Sequence, residues 1–584
     1  MNKKNIALAT LMFCSVAAFA QVQDETVDVE KSYNPSVGEV EKLDENPDFD
    51  NEVEENKLPV NYTPINIPVQ SDYKLSTINP IKLPAKDQST NYNSFAKLGI
   101  GIPETFLGEA YVDYEYERNK HIGAFVHHFW NNADIKNVDL DTKQAQSSFQ
   151  VFYKGNYDEM AAKLTAGYDV STYNYYGLGD IESVLGTTAA QTVYNTINPT
   201  NHYHTAYVNA GLDSYENNIF DNADVLLRSF KGDFSAKETY GRISGDFSNG
   251  ENEMSVMDYD LNLTGNVVLE YVHDDFQETN FGSALDYGYT KIDVTPMAKF
   301  SDENNNYLKV GFNVAYNTDL ENSDSEAYFH PMAEVSIKPW DELGFFGGIR
   351  GNLKNNTYYD VVQNNPWIAP GVTILPTNTK YELYGGVKGV FNEVFQYKGE
   401  ISYKEIENLL LMKNIPIQET SPIPTYRLEN SFGLTYADAN MTSIKGELNY
   451  VGIEKLSATA SVGIFGYDMK GSEKAWNYPF FTTTLSGEYK LFDDALLVGA
   501  DIYYVGERKD VTYDYASLVP TENGIIQVKD YIDLNLRATY NINERWGAFA
   551  KINNLLGDYD RYKNYSTQGA QFLVGATYKF NVAR

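Results

Sequence analysis

From Ser94 to its C-terminus the chain alternates side-chain character with period two, in run after run of roughly ten residues. Over 109–117, Glu109, Tyr111, Asp113, Glu115 and Glu117 fall on one face, and Ala110, Val112, Tyr114 and Tyr116 on the other. Over 395–404, Phe395, Tyr397, Gly399, Ile401 and Tyr403 oppose Gln396, Lys398, Glu400, Ser402 and Lys404. Near the end, Ile532, Leu534, Leu536, Ala538 and Tyr540 oppose Asp533, Asn535, Arg537 and Thr539. Successive side chains of a strand point to opposite faces, so each run is a strand with one apolar and one polar side.

A soluble sandwich alternates too, but its strands are commonly about five or six residues long. A tilted strand that crosses a bilayer needs about nine to eleven. The connections also sort into two kinds. Tight polar turns fall at 118–120, 156–158, 302–305, 340–342, 392–393, 453–455, 493–494 and 543–544. Between them lie longer loops at 131–143, 172–200, 354–379, 405–440 and 508–528. Short turns on the periplasmic side and long loops outside are the pattern of outer-membrane barrels. Pairing the segments this way predicts an all-β, antiparallel transmembrane β-barrel of about 22 strands over 94–584. The stretch 215–260 sorts least clearly, because its turns and loops are of similar length.

The composition fits such a wall. Tyrosine supplies 47 of 584 residues, and its apolar ring with a polar tip suits a membrane interface. The mean hydropathy of −0.43 is no obstacle, since only alternate residues face lipid. No apolar run of eighteen residues follows residue 20, so spanning helices are not expected. Residues 1–20 read as a signal peptide. Lys3 and Lys4 are basic, Ile6 to Val16 are mostly apolar, and Ala18-Phe19-Ala20 offers a small-residue cleavage site before Gln21. Cys14, the one cysteine, lies inside it, so the mature chain has no disulfide or thiol chemistry. A formal charge of −34 argues against nucleic acid as a partner.

Segment 21–93 is different in kind. It is acidic at first, then punctuated by Pro35, Pro47, Pro59, Pro64, Pro68, Pro80 and Pro84. Proline removes backbone donors and interrupts helix and sheet alike, so an extended, mostly irregular periplasmic or lumen-filling segment is expected. Short alternating pieces such as Ile65, Ile67 and Val69 could add a strand to another protein.

Ala475-Trp476-Asn477-Tyr478-Pro479, the hairpin 480–506, the strand 530–540 and Ile552-Asn553-Asn554-Leu555-Leu556-Gly557-Asp558-Tyr559 together resemble the barrel of a TonB-dependent receptor. That resemblance implies a 22-stranded barrel, an N-terminal plug, and import of a bound ligand when TonB pulls. Segment 21–93 is too short for such a plug. Near its start, Glu25-Thr26-Val27-Asp28-Val29 is similar to a TonB box, which the partner grips by adding it to a sheet edge. In the closing strand, Gly575, Tyr578 and Phe580 resemble the signal read by the barrel-assembly machinery, although Asn581 to Arg584 follow the last aromatic.

Other clusters were weighed as sites. His202 and His204 share a strand face and could serve a metal, but a polar pair at a loop base is the plainer reading. His127 and His128 point to opposite faces. Asp319, Glu321, Asp324 and Glu326 are hard oxygen ligands without the spacing and glycine of a calcium loop. No nucleophile, phosphate-loop or zinc motif is present, so no enzyme, metal or cofactor is expected. Carboxylates such as Glu109, Asp113, Glu115, Glu117 and Asp501 on the inner face predict cation preference in a lumen that conducts. Two functions compete: solute uptake or passage across the outer membrane, and a non-transporting scaffold subunit of an outer-membrane assembly or export complex. A 22-stranded lumen is wide and must be filled by something. The candidates are segment 21–93, inward-folded loops such as 354–379, or a partner protein.

Overall fold

A computed structural model describes residues 92–582 except 216–218, 251–253, 258, 278–283, 419–424 and 517–518. The signal peptide and Glu25 to Val29 lie outside the described residues, as does segment 21–93 apart from its last two residues.

Twenty-three strands form one antiparallel sheet, of which Met254–Val256 only extends a hairpin against residues 259–261. The other 22 make a closed wall. Its first strand, Ser94–Ile102, pairs along its whole length with the last, Gln571–Phe580, from Ser94↔Phe580 to Ile102↔Phe572. Closure leaves no edge with unpaired backbone groups, which a wall in hydrocarbon requires. Asn93 N–H donates to Asn581 Oδ1 at 2.9 Å, so the two ends of the wall meet at one rim, the periplasmic one.

The period-two readings hold at the level of faces. Leu98, Ile100 and Ile102 are 62, 67 and 75% exposed, while Lys97 and Gly99 beside them are buried. Ile401 and Ile532 are likewise exposed, and Ser402 and Tyr531 beside them are buried. A belt of exposed aliphatic residues on the outside of a closed sheet is a lipid-facing surface. Aromatics edge it near the periplasmic turns, among them Tyr116, Tyr157, Trp340, Phe391, Tyr540 and Trp546. The tight turns fall where expected, and several rest on residues that tolerate left-handed backbone: Asn119 (φ 60), Asn305 (φ 58), Asn392 (φ 51) and Asp493 (φ 53).

Two expectations need correction. The region 405–440 is mostly strand: Phe395–Asn414 and Phe432–Ile453 continue the ladder, with 20 and 22 residues. A bulge between Ile406 and Leu409, with Asn408 at φ 52, shifts the alternation there and made the sequence read as loop. The region 508–528 is a hairpin of its own, Arg508–Asp514 against Thr521–Val528. Helices are present too, Ile181–Leu185, Thr187–Thr196 and Tyr358–Asn364, each short enough that no helical period shows in sequence. Asp180 caps the first, and Thr357 accepts from Asp360 N–H at 3.0 Å to start the third.

The wall is uneven. Strands at the seam have 9 and 10 residues, against 20 and 22 on the far side. The surplus is roughly 30 Å of strand standing above the membrane.

Candidate functional site: a cap of loops over the lumen

Segment 355–376 leaves the wall between Leu343–Lys354 and Thr377–Phe391 and folds inward. Trp367, 1% exposed, is its pin. The indole stacks on Tyr565 at 3.9 Å and 24°, and Nε1–H donates to the Asn174 carbonyl at 2.8 Å. The flanking backbone pairs with the tall wall: Phe432 N–H donates to Trp367 O and Ala369 N–H to Phe432 O, both at 2.9 Å. Tyr358 packs edge-on against Phe276 at 5.1 Å. Thr357 meets Arg228, and Tyr359 N–H donates to Glu238 at 3.0 Å. One segment therefore touches strands on both sides of the barrel, which it can do only by crossing the outer mouth.

Loops carry backbone polar groups that burial would leave unmatched. Here tyrosine hydroxyls match them. Tyr175 donates to Ile368 O (2.8 Å), Tyr203 to Pro366 O (2.9 Å), Tyr176 to Ser566 O (2.8 Å), Tyr562 to Asn364 O (3.1 Å) and Tyr565 to Asn430 O (2.6 Å). Each ring fills the cap's apolar core while its tip holds a neighbouring loop. Sequence reading assigned tyrosine to the membrane girdle and missed this second use.

A polar lock ties the remaining loops. The Asp510 carboxylate, fully buried, accepts from Asn414 N–H (3.0 Å), Val511 N–H (2.8 Å) and Asn477 Nδ2 (2.8 Å). Burial pushes this carboxyl above the usual aspartate range, against the pull of those three donors and of Lys563. Lys563 pairs with Glu429 and donates to Val511 O at 2.8 Å. Gln568 reaches the carbonyls of Ala133 and Thr142, at 3.1 and 3.0 Å, joining the final loop to 132–143. The phrase Trp476-Asn477-Tyr478 thus sits in the lock, and Asn554 holds the final loop through Gln568 O at 2.6 Å.

Below the cap, inner-face carboxylates are matched by cations. Glu109 meets Lys97 at 2.9 Å and His127 at 3.2 Å, Glu270 meets Lys291 at 2.7 Å, and Glu382 meets Arg350 at 2.7 Å and Lys404 at 3.2 Å. Asp501 pairs with Arg537, Asp113 with His121 at 2.8 Å, and Glu117 with Lys120 at 2.9 Å. Glu115 accepts from Asn119 N–H at 3.1 Å. The acidic rows read from single strands are completed by bases on the strands beside them.

His202 is held by Asp233 (2.6 Å) and His204 by the Tyr168 hydroxyl (2.8 Å), so the two rings serve separate partners. His127 faces in to Glu109 and His128 out to Ser147. Asp319 accepts from the backbone of Glu321 and Asn322 in its own turn, and Glu326 from Tyr328. Among the described residues no group of three or more His, Cys, Asp or Glu could hold a metal ion. Gly575 lies in the seam, where a Cβ would run into the Leu98 carbonyl and the Phe549 ring. Tyr578 packs tilted against Trp546 (4.7 Å) and stacks on Phe580 (5.9 Å) in the periplasmic girdle.

No family model matches the chain. Its structure is similar to that of the FrpB iron transporter of Neisseria meningitidis, with a TM-score of 0.62 at 12% identity over 84% of this chain and 82% of that one. It is similar to P. aeruginosa FpvA bound to a heterologous pyoverdine, with a TM-score of 0.60 at 13% identity over 84% and 72%. A mutant of the Pseudomonas aeruginosa ferric enterobactin receptor PfeA, in complex with enterobactin, gives 0.58 at 10% identity over 84% and 82%. The chain is an outer-membrane barrel with the 22-stranded fold of the TonB-dependent receptors, its outer mouth crossed by its own loops.

Proposed function

We propose that this barrel admits a solute across the outer membrane and that the loop cap is its gate. The carrying observation is segment 355–376, which crosses the mouth and is pinned through Trp367 to the far wall and to the final loop. A passage closed from the outside by contacts of side chains, rather than by the ladder of the wall, can open without breaking the wall. In this reading Glu25 to Val29 is the handle that TonB grips, and pulling on segment 21–93 transmits work to the lumen. Gly575, Tyr578 and Phe580 are what the assembly machinery reads during insertion. The iron and ferric chelates named for the structural neighbours are the first solutes to try.

A second reading is favoured by the dryness of the cap. Tyr175, Tyr358, Trp367, Tyr426 and Tyr565 are all below 2% exposed, as in the core of a soluble domain. A scaffold barrel that never conducts would be built this way.

Planar-bilayer conductance separates the two. The full chain is expected to be silent, and a chain with 356–375 replaced by a short turn to show large, steady openings of cation-preferring or neutral character. A further chain without 21–91 tells whether that segment also blocks. Silence of all three forms would overturn the gate reading and leave the scaffold.

A further inference from the structure

We propose that Arg561 and Arg508 form a binding site for a small soluble oxyanion beneath the final loop, 554–570. Arg561 lies in the short hairpin Asp560–Tyr562 against Tyr565–Ser566 and is 2% exposed. Its Nε, Nη1 and Nη2 are all buried without a hydrogen-bond partner among the described residues. A guanidinium keeps its charge at any ordinary pH and carries five N–H donors. A buried charge with no ion pair and no hydrogen-bond acceptor is strongly unfavourable.

Arg508 makes the shortage worse. It is also buried, and it donates through Nη1 to the Arg561 carbonyl and through Nη2 to the carbonyls of Lys529 and Asp560, each at 3.0 Å. Those acceptors are neutral, and Arg508 Nε is left without one. Burial, with the Arg561 charge adding to it, works against the charged form of Arg508. Aromatic rings supply the rest of the lining. Tyr531 and Tyr559 stack at 4.0 Å and 6°, the Arg508 guanidinium lies 5.1 Å from the Tyr531 ring, and that of Arg561 lies 5.6 Å from the Tyr562 ring. Ring faces attract a cation weakly and accept none of its hydrogen bonds well. Asp533 feels the Arg561 charge, yet forms no ion pair with it among the described residues, and its Oδ1 is itself buried without a partner.

Two positive charges under one loop, with forked donors unspent, match a compact anion with two or more oxygens, a phosphate or a carboxylate. Both guanidinium groups are buried, so an anion reaches them when the final loop lifts. The occupant would then tie the final loop to the base of the 508–528 hairpin. Both side chains are buried inside the loop cap rather than exposed in the lipid-facing belt, so the occupant is a soluble anion. The inference does not depend on transport, since a scaffold barrel would bind the anion equally.

Equilibrium dialysis of the purified full-length barrel against labelled inorganic phosphate, with citrate as competitor, tests it. One saturable site per barrel is expected, displaced by citrate. Arg561→Met should weaken phosphate binding by about tenfold or more, as loss of charge-assisted bonds implies, and Arg561→Lys by less. Thermal unfolding at constant ionic strength adds a second readout. Phosphate should raise the wild-type midpoint, while Arg561→Met should start higher and stay flat. Absence of phosphate binding by the wild-type protein, or unchanged binding by Arg561→Met, would overturn the site. Should Arg561→Met fail to fold, the wild-type dialysis still decides.

Discussion

The wall and the cap close the same barrel by opposite means. The wall is a single ladder in which every strand satisfies its neighbour's backbone, with lipid on one side and charge pairs on the other. The cap has almost no ladder. Its loops are held by tyrosine hydroxyls on carbonyls, by the Trp367 indole on Asn174, and by the Asp510 carboxylate on three donors. A ladder opens only by unzipping neighbours together. The cap can lose one side-chain pin at a time, which is the property a gate needs and a membrane wall must avoid.

The comparison breaks most readily at Trp367. Trp367→Ala removes the indole from Tyr565, Tyr562, Tyr176 and the Asn174 carbonyl, and such core truncations cost about 3–5 kcal/mol. If cap and wall are separate units, the variant should keep its β-sheet circular dichroism while 355–376 becomes open to chymotrypsin at Tyr358 and Tyr359 and the channel conducts. Loss of the β signal together with the cap would show one cooperative unit. On the wall side, Ile401→Lys places a charge in the lipid-facing row, worth about 2–4 kcal/mol near the bilayer centre. It should lower folding yield into vesicles and leave chymotrypsin resistance of the cap unchanged.

The wall could be read from sequence because its information is local. Ile401 is outward and Ser402 inward by period two alone, whatever lies across the barrel. That also explains where the reading slipped. One bulge at Asn408 breaks the period and hides the outer parts of the two longest strands. The cap could not be read, since the partners of Trp367 lie at Asn174, Phe432 and Tyr565, and no spacing connects them. The lumen charges fell between these cases. Glu109 was correctly turned inward, but its partners Lys97 and His127 come from the two adjacent strands, so the pairing became visible only with the register.

A smaller change sharpens the same contrast. Tyr565→Phe keeps the ring in the cap core and removes the donor to the Asn430 carbonyl. A buried acceptor left unmatched costs about 1–3 kcal/mol. Amide exchange should speed up at 426–432 and at the final loop, with the rest of the sheet unaffected. Phenylalanine at a girdle position such as Tyr116 should change little, because water can serve the hydroxyl there.

The smallest expected effect is one of pH, and its sign follows from Asp510. Burial raises this carboxyl above its ordinary value of about 3.9, so the closed cap holds the proton more tightly than the opened one. Stability from that proton is fully present below about pH 4 and is lost as pH rises through the raised value. Lys563 nearby works the other way, and the Tyr513 hydroxyl stays neutral across this range. The cap should therefore be cut faster by a pH-tolerant protease as pH goes from about 4 to about 7, after correction for the enzyme's own profile. Asp510→Asn should flatten that dependence. The wall offers the control, because cleavage at the exposed periplasmic turn 493–494 should follow the protease alone. A cap that loosens toward low pH would mean that the three hydrogen bonds to the ionised carboxylate outweigh its burial, and the lock would then be held by charge, like the pairs of the wall beneath it.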